Sequence, residues 1–247
     1  MEAQILTTLE NSALCIQINR PEKKNALTPE MYASLSAAIR AGDADDRVRV
    51  IILHGVEDCF TSGNDLVNFR DGPSPDRVYP HNLYIDTLSH MQKPVIAAVS
   101  GIALELGTIM LFHCDFVYAT LGTLFSLPFV SLGLSPEGGT SYILPHLVGY
   151  QKAAELILLG EQFDSQVAEQ IGLVNEIVTA EKLLGKALET ADKLAAKSTE
   201  SILAAKALLK RGMIDGVTTA MSRELDLFNE RLTAHEVKTS IGRFFDR

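Results

Sequence analysis

Three short apolar runs, separated by segments with helical spacing, constrain the fold of this 247-residue chain more than any other feature. Residues 48–53, 94–99 and 116–119 are rich in apolar residues, the pattern of strands that are buried on both faces. Helical patterns lie after them, at residues 106–113 and 150–159. Because strands alternate with helices, the sequence predicts an α/β fold with a largely parallel sheet.

The first part of the chain carries one more strand and a helix start. Residues 14–19 alternate between apolar and polar side chains, and Arg20-Pro21 ends this strand. Thr28 and Pro29 then have the pattern of a helix cap followed by proline at the first helical position.

From residue 164 onward the pattern is mostly helical, with a strand signal only near residues 173–178. The helical segments are residues 181–197, 199–210 and 217–231. A helical region of this size is too thin for a large core of its own. We therefore expect residues 1–190 to form the core and residues 191–247 to pack on it or on another subunit.

Composition excludes several classes of function. A net charge of -9 argues against a nucleic-acid partner held by a general basic surface. The longest apolar stretch, residues 94–112, contains Glu105, which argues against a membrane span. The first ten residues lack the apolar run of a secretory signal, and the three cysteines fit neither a disulfide framework nor a zinc site. These features predict a cytoplasmic protein with no metal site.

One acid lies in a turn suited to catalysis. Glu137 stands between Pro136 and the glycines Gly138 and Gly139, so a rigid bend beside flexible backbone can direct its carboxylate into a cleft. A poorly solvated carboxylate there is a useful base. Such a turn taken alone is more often a surface feature, so other segments of the chain are needed to distinguish a catalytic acid from a surface acid.

Two segments of small residues could supply backbone N–H donors. Around Gly63, residues 59–66 allow the backbone to approach a ligand closely and to form an anion-binding nest. Residues 101–108 begin a helix near Leu106, where the first N–H groups lack partners within the helix and can stabilise an oxyanion. A basic cluster follows the first strand at residues 20–24, a pattern that by itself is typical of a solvated turn.

Taken in order, these segments resemble the crotonase (enoyl-CoA hydratase/isomerase) superfamily. The matching stretches are Arg20-Pro21, Asn25-Ala26-Leu27, residues 60–65, residues 94–103, Cys114-Asp115, and Phe163 through Ala168 to Val174. Residues 62–66 and 135–138 are most similar to the peroxisomal type of Δ3,Δ2-enoyl-CoA isomerase. The resemblance covers nearly the whole chain.

The resemblance implies a crotonase (ClpP-like) spiral of ββα repeats, with C-terminal helices that help to build a homotrimer or a dimer of trimers. It implies an acyl-CoA substrate of fatty-acid β-oxidation and no cofactor besides the CoA of that substrate. By position, the backbone N–H groups of Asn64 and Leu106 form the oxyanion hole, with Asp65 orienting its turn. The substrate and CoA contacts implied in the same way are Arg20, Lys23, Lys24, Ala26, Thr61, Ser62, Gly63, Asp65 and Leu66.

Two departures from the family pattern separate the possible reactions. Hydratases of the superfamily use two glutamates to activate water, and the corresponding positions here are Ile109 and Phe129. These apolar groups would line the pocket and keep it dry, which disfavours hydration. Moving a double bond needs a single base, and Glu137 is the acid in a family-matched position. Glu105, where relatives commonly have glycine, is expected to point away and to make a structural hydrogen bond or a subunit contact. The alternative is that it acts as a second functional acid.

The sequence therefore predicts an isomerase that converts 3-enoyl-CoA to 2-trans-enoyl-CoA through a dienolate, with Glu137 as base. One alternative is an enoyl-CoA hydratase or another lyase or hydrolase of the same superfamily, since one fold hosts many reactions. A second alternative is an acyl-CoA-binding protein without catalytic activity.

Overall fold

A computed structural model of the chain describes residues 3–65, 67, 79–235 and 237. Strands and helices alternate along it as the sequence predicts. The strands are β1 (Ile5–Glu10), β2 (Ala13–Ile18), β3 (Val50–His54), β4 (Val95–Val99), β5 (Ile102–Leu104), β6 (Phe116–Thr120), β7 (Leu124–Ser126), β8 (Phe163–Asp164) and β9 (Glu176–Val178). The α-helices are α1 (Pro29–Ala44), α2 (Pro80–Ser89), α3 (Leu106–Ile109), α4 (Thr140–Val148), α5 (Tyr150–Ala154), α6 (Ser165–Gln170), α7 (Ala180–Ala195), α8 (Thr199–Arg211) and α9 (Ile214–Leu232).

The main sheet has six strands in the order β1-β2-β3-β4-β6-β9. All neighbours are parallel except β1 and β2, which form an antiparallel hairpin. The three apolar runs of the sequence are the adjacent strands β3, β4 and β6, and β4 is buried at every residue. The predicted α/β architecture with a largely parallel sheet is therefore confirmed.

Side chains of the central strands alternate between two apolar clusters, one on each face of the sheet. In β3, Ile51 and Leu53 join the larger cluster, whereas Val50 and Ile52 join the smaller one. Helix α7 covers the second face, and its Ala187 is fully buried there. The predicted division between residues 190 and 191 falls inside this helix, and it stays a prediction.

Several elements are not predicted by the sequence, among them the six-residue strand β1. Strands β5, β7 and β8 form a second sheet, and each has only two or three residues, too few to display a period. Helices α2 and α4 were not predicted either. In contrast, the cap of α1 is confirmed, since the Thr28 side chain accepts a hydrogen bond from the Met31 N–H.

No helix in the described part of the chain is long and apolar enough to cross a membrane.

Candidate active site

Three of the segments singled out in the sequence lie side by side. The Leu27 N–H donates to Gly63 O at 2.9 Å, and the Asp65 N–H donates back to Leu27 O at 3.0 Å. On the other side, the Leu104 N–H donates to Thr61 O at 3.0 Å. These backbone bonds align the turn after Gly63 with the start of α3.

The alignment brings the N–H groups of Asn64 and Leu106 to a single point. Both donate to the same oxygen, Glu105 Oε2, at 2.9 and 2.8 Å. We call these two groups the amide pair. Two N–H donors that converge on one oxygen can stabilise negative charge on it, which is the chemistry that the sequence analysis expects of Asn64 and Leu106.

Glu105 itself differs from expectation, because its side chain does not point away from the amide pair but accepts both of its hydrogen bonds. Its backbone has φ 53° and ψ -114°, a conformation that favours glycine and strains other residues by about 1–3 kcal/mol. Burial raises the pKa of its carboxyl, as does the nearby Glu137, against the opposite effect of the two N–H groups.

Room for the Glu105 carboxylate exists because residue 63 is glycine. A Cβ on Gly63, whose φ is +90°, would lie 2.5 Å from Glu105 Oε2. The predicted anion-binding nest is not formed at this turn, because its N–H groups already have protein partners. Those of Ser62 and Gly63 donate to Lys24 O and Thr61 Oγ1.

The residues expected to contact CoA divide into paired and exposed groups. Arg20 is held by Asp65, with 2.7 Å between Nη1 and Oδ2, and it also donates to Ala26 O. Lys23 and Lys24 are exposed beside it. Leu66 lies outside the described residues. Within the described residues, no three or more His, Cys, Asp or Glu side chains are grouped to hold a metal ion.

Glu137 lies in the turn that precedes α4, and its side chain is almost fully buried. Gly138, at φ +69°, follows it, and a Cβ there would lie 2.5 Å from Ile109 Cγ2. The backbone of the turn thus packs directly on Ile109. Ile109 and Phe129, which stand where hydratases of the superfamily have glutamates, are both buried. These two positions are therefore apolar and closed to solvent.

His81 faces Glu137, although no sequence pattern indicates this contact. His81, near the start of α2, places Nε2 3.0 Å from Glu137 Oε2, and both side chains are no more than 3 % exposed. The His81 ring lies between aromatic rings, with its centroid 6.0 Å from that of Tyr32 and 6.1 Å from that of Phe228. Glu137 is therefore an acid in a mostly apolar enclosure with an imidazole as a close polar neighbour.

An open cleft of about 350 Å³ leads to the Glu137 turn between α2 and α9. Its walls combine apolar and small polar side chains. The lining residues are Asn82, Leu83, Asp86, Glu137, Gly138, Thr218, Met221, Ser222 and Leu225. The cleft has the size and mixed lining that suit the chain of a small-molecule ligand.

Glu224 on α9 holds the Glu137 turn from the other side. Its carboxylate accepts hydrogen bonds from the N–H groups of Gly139 at 2.6 Å and Ser141 at 2.7 Å, at the start of α4. Burial raises the pKa of this carboxyl. A buried acceptor of two backbone N–H groups fixes the path of the turn.

Replacing Glu224 with alanine should lower the free energy of unfolding by about 1–3 kcal/mol, because two buried N–H groups lose their acceptor. Urea denaturation measures this loss. Asp226→Ala, an exposed acid on the same helix, is the matched control and should change stability by less than about 0.5 kcal/mol. Equal stability of both variants would contradict the assigned role of Glu224.

His113 supports the same turn, since its Nε2 lies 2.8 Å from Gly138 O and donates to it. Burial lowers the pKa of His113 from 6.5 to about 4. The unfolded chain therefore binds a proton between these values that the folded chain does not, and stability is lost as the pH falls from 6.5 toward 4.

Lowering the pH from 7 to 5 should decrease the free energy of unfolding of the wild type by about 2 kcal/mol more than that of His113→Gln. Urea denaturation at the two pH values measures the difference. If both proteins lost the same free energy, His113 would not be neutral and buried in the folded state.

A family profile described as enoyl-CoA hydratase/isomerase matches residues 8–247. OdaA of Pseudomonas aeruginosa, a solved structure, superposes with a TM-score of 0.96 at 36 % identity and covers 100 % of both chains.

Two curated relatives carry different activity names. A protein of Rhizobium meliloti named "probable enoyl-CoA hydratase" is 34 % identical over 93 % of this chain and 90 % of its own length. Enoyl-CoA delta isomerase 2 of Rattus norvegicus is 31 % identical over 98 % of this chain, which spans 63 % of that longer protein.

Proposed function

We propose that this chain, which belongs to the enoyl-CoA hydratase/isomerase family and has the crotonase fold, is an isomerase. It would convert 3-enoyl-CoA thioesters to 2-trans-enoyl-CoA. The observation that carries the proposal is the pairing of one buried base with two convergent donors. Glu137 is 2 % exposed, and the N–H groups of Asn64 and Leu106 meet at one oxygen position.

In the proposed reaction, the Glu137 carboxylate removes a proton from C2 of the substrate. The electron pair of that C–H bond becomes a C1–C2 double bond, and the π pair of the C1 carbonyl moves onto the thioester oxygen. In the dienolate intermediate the charge is spread over C4 and the thioester oxygen. Protonated Glu137 then returns the proton to C4, so no external acid or base is consumed. As the C3–C4 pair takes up this proton, the carbonyl re-forms and the C1–C2 pair becomes the C2–C3 double bond.

The amide pair supports this reaction by holding the thioester oxygen as it becomes negative. Each well-placed donor of this kind can contribute about 3–4 kcal/mol to the stability of the transition state. In this structure, Glu105 Oε2 stands at the point where such an oxygen would be held.

The apolar surroundings of Glu137 favour isomerisation over hydration. Ile109 and Phe129 are fully or almost fully buried and carry no group that could activate water. A dry enclosure also keeps the abstracted proton on Glu137 until C4 receives it. The name of the Rattus norvegicus relative agrees with this reaction, whereas that of the Rhizobium meliloti relative names the alternative.

Two exposed lysines near the turn that carries Asn64 support CoA as the carrier of the acyl group. Arg20 is already paired with Asp65, so its charge is partly neutralised. Lys23 and Lys24 are exposed and have charges that a ligand can reach. We assign them to the CoA phosphates. The homotrimer or dimer of trimers is part of the same proposal, and light scattering would report the mass of the assembly.

The direct test is a spectrophotometric assay with 3-enoyl-CoA esters of several chain lengths. The proposal expects a conjugated 2-trans-enoyl-CoA product from at least one of them. Tight binding of these esters without turnover would instead favour an acyl-CoA-binding protein.

A further inference from the structure

The carboxylate of Glu105 is held by three N–H donors. The amide pair donates to Oε2 at 2.9 and 2.8 Å, and Asn64 Nδ2 donates to Oε1 at 2.7 Å. Hydrogen bonds to an ionised acceptor are stronger than those to a neutral one. The Glu105 side chain is therefore a strong ligand for the same donors that the thioester oxygen would use.

Neighbouring residues are arranged so that the carboxylate fits this position. The Tyr32 hydroxyl donates to Asn64 Oδ1 at 2.7 Å, which orients the Asn64 amide with its NH2 group toward Glu105. Gly63 leaves the space that a Cβ would fill, 2.5 Å from Glu105 Oε2. Glu105 also retains a backbone conformation that glycine would adopt without strain. The Glu105 carboxylate therefore has both the hydrogen-bond donors and the space that it needs at this position.

From this geometry we infer that Glu105 is an internal competitor for the amide pair, which an acyl-CoA must displace before its carbonyl oxygen can bind there. The inference rests on the proposed function for the identity of the ligand. A thioester oxygen and Glu105 Oε2 cannot occupy the same point. The competition therefore selects against every ligand that needs the amide pair and leaves other ligands unaffected.

The physical consequence is weaker binding of thioesters. A thioester carbonyl is neutral, so its hydrogen bonds to the amide pair are weaker than those of the carboxylate that it replaces. The loss applies equally to the bound substrate and to the transition state, since both require Glu105 to have moved. Such a uniform effect raises KM and leaves kcat little changed.

Two ligands separate this role from a general structural one. Octanoyl-CoA has the thioester carbonyl, whereas S-octyl-CoA, a thioether, has the same chain and nucleotide but no carbonyl oxygen. Calorimetric titration measures the Kd of each for wild type, Glu105→Gly and Glu105→Gln. Glycine suits the positive φ, and glutamine keeps the size of the side chain while presenting an NH2 group to Asn64.

We expect Glu105→Gly to bind octanoyl-CoA at least tenfold more tightly than the wild type, with S-octyl-CoA changed less than twofold. For octanoyl-CoA, the Kd of Glu105→Gln should lie between that of the wild type and that of Glu105→Gly. Equal changes for both ligands, or weaker octanoyl-CoA binding in both variants, would overturn the inference. If no protein bound either ligand, the proposed function would fail with it, whereas selective tightening without isomerase activity would refute only the proposed function.

Discussion

Replacing Glu137 with glutamine should lower kcat for 3-enoyl-CoA isomerisation by about a hundredfold to ten-thousandfold, the range that a positioned general base contributes. Glutamine has nearly the same shape but cannot accept the C2 proton. Because the Glu137 side chain is almost fully buried, bases in the solvent have little access to replace it. Initial rates with saturating substrate measure the effect.

Two controls make the Glu137→Gln result specific. Asp226→Asn removes an exposed acid of α9 and should leave kcat within about twofold, as expected of a surface change. The Kd of octanoyl-CoA should also stay close to the wild-type value in Glu137→Gln, since the base is not assigned to binding. Near-normal turnover in Glu137→Gln would remove Glu137 from the mechanism.

Hydration of crotonyl-CoA should be at least about a hundredfold slower than isomerisation of a 3-enoyl-CoA by the same preparation, because acid–base activation of water is missing. Ile109 and Phe129 occupy the positions at which hydratases of the family have glutamates. Both are buried and apolar. Liquid chromatography of 3-hydroxybutyryl-CoA formed in water gives the hydration rate.

A hydratase of the family, added to the same mixture, verifies that the substrate and the detection are sound. Hydration as fast as isomerisation would contradict the proposed reaction. It would then point to Glu105 and Glu137 as a pair that activates water, since the charges of these two acids interact.

The sequence predicts β3, β4 and α1 because their patterns are long enough to show a period or a cap. Strands β3 and β4 are apolar runs of five residues, and α1 has both a cap and a buried face. In contrast, β5 and β8 have three and two residues and are defined by pairing with distant strands. Local patterns do not contain such pairing.

Local pattern predicts the turn at Glu137 and the helix start near Leu106, and the family resemblance assigns the oxyanion hole to Asn64 and Leu106. The structure brings the N–H groups of these last two residues together. The partners of the Glu137 turn could not be predicted. Glu224 binds a backbone N–H 85 residues away in sequence, and His81 reaches Glu137 through the packing of α2. A lone acid in an amphipathic helix and a lone histidine after a proline give no local signal of these contacts.

Glu105 illustrates a different limit of sequence reasoning. Its position next to Leu106 was recognised, but the direction of its side chain was predicted wrongly. That direction depends on a positive φ and on the space left by Gly63, which is 42 positions earlier in the chain. Neither feature can be derived from the residues around Glu105 alone.

In the proposed mechanism, a single buried carboxylate moves one proton from C2 to C4. This transfer is tested with a 3-enoyl-CoA in which both C2 hydrogens are deuterium, reacted in ordinary water and analysed by mass spectrometry and NMR. We expect 2-trans-enoyl-CoA in which most molecules carry deuterium at C4, with this product nearly lost in Glu137→Gln. Product with only solvent hydrogen at C4, or no 2-enoyl-CoA at all, would contradict the proposed mechanism.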